Sequence, residues 1–399
     1  MGRLELSKWQ VIKDFFSNKR VVYGVYIILA LVAALKQYLH HSYNNYLIFK
    51  YVYVHVVNLQ PLFVNSPMNP YFDCNHYGPT FSILIAPFAM LPDAIGVCLW
   101  NVANVLILLW GIFSLPISYN KRMAIGWICA HEALTSLFSY QFNVGLAGML
   151  LLIFSFTVRN KHLQSALFIA LGTLVKLYGI VGLAFFFFTE KKGRFVLIGL
   201  ASFAVLFALP MLFSSPAYIV QCYYDWYDSL VSKNASNTTL DSFQDISLMG
   251  IIRRVSGDAS IANGPMLLAG LVLFALPYVR IGQYKAIGFR LLMLASTLIF
   301  TVIFSSGSES PTYIIAFAGV AIWFVSQQDP KKGWVIGLLV FAFLITSLSP
   351  TDIIPKDVRY FIRIYSLKAL PCALIWFVII YQLMVTDFLK PQLQVEERN

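Results

Sequence analysis

Asp73, His76 and Tyr77 share one short stretch, Tyr71-Phe72-Asp73-Cys74-Asn75-His76-Tyr77-Gly78-Pro79. A carboxylate, an imidazole and a phenol at that spacing can take a proton from a hydroxyl, orient the group that takes it, and bond a polar partner. Asp73 is also the only carboxylate between Leu39 and Thr80, so a base needed there has one candidate. The chemistry of such a set depends on what holds it, and the surrounding residues are those of a membrane.

Of the 399 residues, 59% are hydrophobic and 12% charged, with mean hydropathy +0.71, far outside the range of soluble globular chains. The expected class is an all-α polytopic membrane protein forming a single unit over 1–399, with no separate soluble domain. The basic start, with Arg3, Lys8, Lys13, Lys19 and Arg20, has no small-residue cleavage site after the first apolar run. That run is therefore expected to be a retained anchor, with the mature chain beginning near Met1. The net charge of +11 lies in short clusters between apolar runs, not along one stripe, which argues against a nucleic-acid partner and for cytoplasmic loops.

Apolar runs long enough for a hydrocarbon core of roughly 30 Å predict about twelve spans, near 21–38, 80–95, 97–116, 123–140, 143–158, 163–188, 195–213, 265–279, 288–305, 311–327, 333–349 and 370–386. With an inside start and an inside C-terminal tail, three large loops face outwards: 39–80, 214–264 and 350–369. One feature conflicts with this count. Lys121-Arg122 and Arg159 to His162 fall on the outer face, against the charge rule. The run Leu163 to Phe188 is longer than one span needs and carries Lys176-Leu177-Tyr178-Gly179 at its middle; it is kept as one span, although two short helices meeting at a bend fit as well.

Polar groups at membrane depth are expected to be paired or to face a cavity. For Lys176 the choice lies between holding an anionic headgroup and snorkelling to the interface. His131-Glu132 reads better as a bridge between helices than as a cavity wall. Gln141 and Asn143 can bond hydroxyls or cap the helix they open. The five cysteines show no metal or redox spacing, and although Cys74 and Cys222 both fall outside, free thiols are expected over a disulfide.

The run Tyr77-Gly78-Pro79-Thr80-Phe81-Ser82-Ile83-Leu84-Ile85-Ala86-Pro87-Phe88-Ala89-Met90-Leu91-Pro92, then Leu99-Trp100-Asn101, Gln141-Phe142-Asn143 and Lys176-Leu177-Tyr178-Gly179, resembles the ordered motifs of glycosyltransferase family 87. The likeness covers about Asn44 to Arg194. It implies a GT-C-type fold and an enzyme that moves a sugar from a polyprenyl-phosphate donor to an acceptor hydroxyl, on a glycan or glycolipid, outside the cytoplasmic membrane of a bacterium. Known members are mannosyltransferases. The family's usual catalytic aspartate aligns with Asn44-Asn45, where no carboxylate stands.

Asp73 is accordingly the expected base, His76 its orienting partner, and Glu309, in the turn Ser308-Glu309-Ser310-Pro311, the reserve base. Direct displacement would invert the anomeric centre. Asn44, Asn45, Tyr77, Gln141, Asn143, Lys176 and Tyr178 are expected to bind substrate, and Arg253-Arg254 to neutralise the leaving phosphate. No Asp-x-Asp pair occurs in the outer loops, so neither metal nor cofactor is expected beyond the lipid-linked donor. The competing classes are a lipid or sugar transporter and a family member without catalysis; transporters usually carry internal repeats, and none is evident.

Overall fold

Residues 10–390, apart from 12 and 243, are described by the structure, a computed structural model. Arg3 and Lys8 of the basic start, and the tail from 391, lie outside the described residues. No strand occurs among the described residues. Four helices there are long and apolar enough to cross a membrane, Lys19–Leu39, Asp93–Ser114, Lys192–Phe213 and Leu367–Val385, and shorter apolar helices accompany them.

Helix α1 (Lys19–Leu39) begins where Asn18 Oδ1 accepts the Arg20 N–H at 2.9 Å and is followed by α2 (Asn44–Val57) in the first loop. Next come α3 (Phe81–Ala89), α4 (Asp93–Ser114), α5 (Tyr119–Leu137) and α6 (Asn143–Val158). Helix α6 is apolar on every side and buried from Asn143 to Thr157, as expected for the centre of a bundle. Helix α7 (His162–Val175) meets a 3₁₀ helix, Leu177–Phe188, at Lys176, whose backbone is extended. Then follow α8 (Lys192–Ala208), the long loop helix α9 (Pro216–Asn237), α10 (Leu248–Ser256), α11 (Asn263–Ala275) and α12 (Ile287–Ile303). Helices α13 (Tyr313–Val325), α14 (Gly333–Ala342, continued by Phe343–Leu348), α15 (Lys356–Ile364) and α16 (Leu370–Val385) complete the chain.

Two predicted spans need correction. The run 80–95 holds only the nine-residue α3, about 14 Å long and too short to cross. Pro87 is carried inside α3, and Pro92 stands at the break after which α4 starts afresh. The run 163–188 is not one span but a hairpin. His162 Nδ1 lies 3.2 Å from Thr189 Oγ1 at its open end, and Gly172 faces Gly179 near its bend, where a Cβ on Gly179 would overlap the backbone of Gly172 and Thr173. Along the returning arm Gly179, Gly182, Phe185 and Phe188 are buried. Their spacing of three is the period of a 3₁₀ helix, so one face of that arm stays against its neighbours.

With these corrections the basic turns can be compared by their contacts. The Tyr119 hydroxyl accepts the Lys19 N–H at 3.0 Å, and Arg159 donates to the Ser114 carbonyl at 2.7 Å. The Glu190 N–H reaches Asn160 Oδ1 at 3.3 Å, and Arg280 donates to the Leu383 and Thr386 carbonyls at 2.7 Å. Lys121 and Lys332 line one cleft with Thr386. Every basic cluster of the inter-helix turns thus gathers at one end of the bundle, the basic end. The three large loops meet at the other end.

Candidate active site

At the loop end, side chains far apart in sequence form one directional chain. Lys176 Nζ donates to Asn143 Oδ1 at 2.7 Å, Asn143 Nδ2 to Gln141 Oε1 at 2.7 Å, and Gln141 Nε2 to Glu309 Oε2 at 2.8 Å. An ammonium can only donate and a carboxylate only accept, so the two ends dictate how both amides are turned. Each element places its residue for a local reason. Lys176 is the bend of the hairpin, supported where Gly78 N–H donates to the Val175 carbonyl at 3.0 Å. Asn143 and Gln141 open α6, and Glu309 caps the turn that leads into α13, sharing a capping box with Thr312.

Glu309 also borders a cavity of about 850 Å³. Around it stand Lys356, Arg359 and Arg363 of α15, together with Lys368, Ser242 and Gln244. Lys368 is buried and donates to Glu132 Oε1 at 2.8 Å and to Ser310 Oγ at 2.9 Å, which fixes it beside the Glu309 turn. Four basic side chains line the cavity with Glu309; Lys368 is paired with Glu132 and Arg359 with Asp352, so the lining is basic on balance and favours an anion. A group with both an acidic leaving group and a hydroxyl partner would find there a counter-charge and a proton acceptor.

The remaining expected residues separate from this cavity. Asp73, exposed and with a left-handed backbone (φ 76°), and His76 line a different cavity of about 580 Å³ with Asp225, Asp228 and Lys233. Burial, with the Lys233 ammonium adding to it, holds the His76 imidazole down to about 4, so the ring is neutral at pH 7. The Tyr77 hydroxyl accepts the Phe142 N–H at 3.2 Å, and its ring lies 5.4 Å from Lys176 Nζ. The Tyr178 hydroxyl is 2.7 Å from Ser305 Oγ. Asn44 bonds the Phe72 backbone in both directions, at 2.9 and 3.0 Å, and Asn45 donates to the Ser139 carbonyl at 2.8 Å. Among the described residues, none of the nine expected substrate binders lines the cavity beside Glu309.

Arg253 and Arg254 require the clearest revision. Arg253 forms a buried ion pair with Asp245 and donates to the Ile261 carbonyl and Asn263 Oδ1 at 2.8 Å. Arg254 donates to the Asp245 carbonyl at 3.0 Å and to that of Ser242. Both guanidinium groups thus bond within the second loop and its flank, and neither lines the cavity beside Glu309. Lys356, Arg359 and Arg363, which the motif reading left out, stand at i, i+3 and i+7, one face of a helix; that spacing was the available signal.

A family model described as glycosyltransferase family 87 matches residues 75–306, more than half of the chain. The chain belongs to glycosyltransferase family 87. No curated protein matches it. Within family 87 the matched stretch contains Gln141, Asn143 and Lys176, while Glu309 and the basic face of α15 lie beyond it. The case for those later residues therefore rests on geometry. Two side chains within the matched stretch bridge helices: Glu132 pairs with Lys368, and His131 Nδ1 is 2.8 Å from Ser347 Oγ. All five cysteines are free thiols.

Proposed function

We propose that this family 87 glycosyltransferase moves a hexose, mannose being the first candidate, from a polyprenyl-phosphate donor to a glycan or glycolipid hydroxyl, with Glu309 as the base. The observation that carries this reading is the cavity that Glu309 lines together with Lys356, Arg359, Arg363 and Lys368, of which Lys368 also pairs with Glu132 and Arg359 with Asp352. The acceptor oxygen attacks the anomeric carbon while the bond from that carbon to the phosphate oxygen breaks. The proton passes to the Glu309 carboxylate, and the phosphate leaves as an anion that needs no proton. Attack from the side opposite the phosphate inverts the anomeric centre. Lys368, Lys356 and the Arg359 and Arg363 guanidinium groups supply the counter-charge where negative charge gathers.

Under the positive-inside rule the basic end would be cytoplasmic, and the cavity would open on the outer face of a bacterial inner membrane. Tyr360, Ile362, Pro311 and Pro350 give the cavity an apolar side suited to the first units of a lipid. Gln141 and Asn143 hold Glu309 and do not themselves grip the sugar in this reading, and the base moves from Asp73 to Glu309. The test is transfer by the purified protein in vesicles carrying a polyprenyl-phosphate hexose, with the product anomer determined. Donor consumption that stops in Glu309→Gln and persists in Asp73→Asn supports the reading; the reverse pattern refutes it.

A further inference from the structure

The cavity that holds Asp73 and His76 has a chemistry of its own. A carboxylate oxygen of Asp73, Cys74 Sγ and a ring nitrogen of His76 all lie within 4.8 Å of one another. Cys74 Sγ is 3.8 Å from His76 Nε2. For a tetrahedral ion with a thiolate at about 2.3 Å and an imidazole at about 2.1 Å, the sulfur-to-nitrogen edge is about 3.6 Å. The two ligand atoms therefore already stand near the separation that such an ion imposes.

The support around them matches as well. His76 Nδ1 is 3.0 Å from Ser229 Oγ on α9, the outer contact that fixes a ligating ring and leaves Nε2 directed at the ion. The His76 carbonyl accepts the Trp226 indole N–H at 2.9 Å, which ties the same loop residue to α9 a second time. Asp225 and Asp228 line the cavity and outweigh Lys233, so the surroundings favour a cation. One carboxylate, one imidazole and one thiolate make a borderline-soft donor set, which suits zinc better than magnesium or calcium.

We propose that Asp73, Cys74 and His76 form a binding site for one divalent ion of the zinc class, with the fourth position open to the cavity and the His76 ring held for it by Ser229 of α9. The proposal stands apart from the assignment of Glu309 and survives if that assignment fails. Binding occupies the Asp73 carboxylate and displaces the thiol proton of Cys74 to solvent.

The test uses the full-length protein in detergent, stripped with a chelator and titrated with cobalt(II). One cobalt per chain is expected, with a thiolate-to-cobalt charge-transfer band in the near ultraviolet that zinc(II) abolishes by displacement. The band should vanish in Cys74→Ser and persist in Cys98→Ser. Should Cys74→Ser not fold, Ser229→Ala keeps all three ligands and is expected to weaken cobalt binding by about 10-fold or more. A protein that shows no thiolate band, a band that survives Cys74→Ser, or a cobalt affinity unchanged by Ser229→Ala would overturn the proposal and leave Cys74 and His76 as a thiol–imidazole contact only.

Discussion

Replacing Glu309 by Gln separates chemistry from scaffolding, because the structure bounds what the scaffold loses. The carboxylate accepts from Gln141 Nε2 at 2.8 Å and caps the turn ending at Thr312. A glutamine keeps one acceptor oxygen and the side-chain volume, but it gives up a charge-assisted bond worth about 1.5–3 kcal/mol. It also gives up a negative charge at a helix start, worth about 0.3–1 kcal/mol. The fold is thus expected to weaken by about 2–4 kcal/mol, visible as a lower melting temperature in detergent. Loss of a general base slows transfer by about 10²–10⁴-fold, or about 3–5 kcal/mol of barrier. Single-turnover consumption of a polyprenyl-phosphate hexose in vesicles, on protein shown to be folded, reads the second quantity alone. Glu309→Asp, which keeps the charge, should recover part of the rate. A Glu309→Gln protein within ten-fold of the wild-type rate would refute the assignment.

Three further outcomes follow from the same geometry. Lys356→Ala or Arg359→Ala should raise the KM for the lipid-linked donor by about 10-fold or more, the equivalent of one lost charge-assisted bond, while leaving the melting temperature unchanged; an unaltered KM in the double variant would remove α15 from the donor site. Asp245→Ala leaves the buried Arg253 guanidinium without its carboxylate and should cost about 3–5 kcal/mol, seen as a marked fall in the thermal midpoint; a midpoint equal to wild type would show that the pair holds nothing. Gly179→Ala pushes the hairpin arms apart at Gly172, which should cost about 1–3 kcal/mol and reduce the rate by moving Lys176. Gly199→Ala, on α8 with open space around it, is the control expected to change neither.

How far the sequence spoke depends on the physics of each feature. Apolar run length marked out the all-helical class and most of the apolar helices, because hydrophobic content is local. It misread 80–95, where proline divides an apolar stretch, and 163–188, where a stripe of period three signals a helix that turns back on its partner. The charge conflict at Lys121-Arg122 and Arg159 to His162 flanks the region where both misreadings fall. Membership in family 87 was readable from ordered motifs between Tyr77 and Gly179. The assembly of Gln141, Asn143, Lys176 and Glu309 was not, since the contact of Gln141 with Glu309 spans 168 positions and arises only when helix ends meet. Arg253-Arg254 read as a pair for the leaving phosphate because their partner Asp245 meets them only through the fold of its loop. Asp73 drew attention as the sole acid of its loop, a fact of composition that says nothing about which cavity it faces.

The most direct test of the central claim is a density map of the protein with a non-transferable polyprenyl-phosphate sugar bound. The account predicts the phosphate in contact with Lys368 and the basic face of α15, and the anomeric carbon turned towards Glu309. A headgroup seated instead against Asp73 and His76, with the cavity beside Glu309 left to solvent, would contradict it.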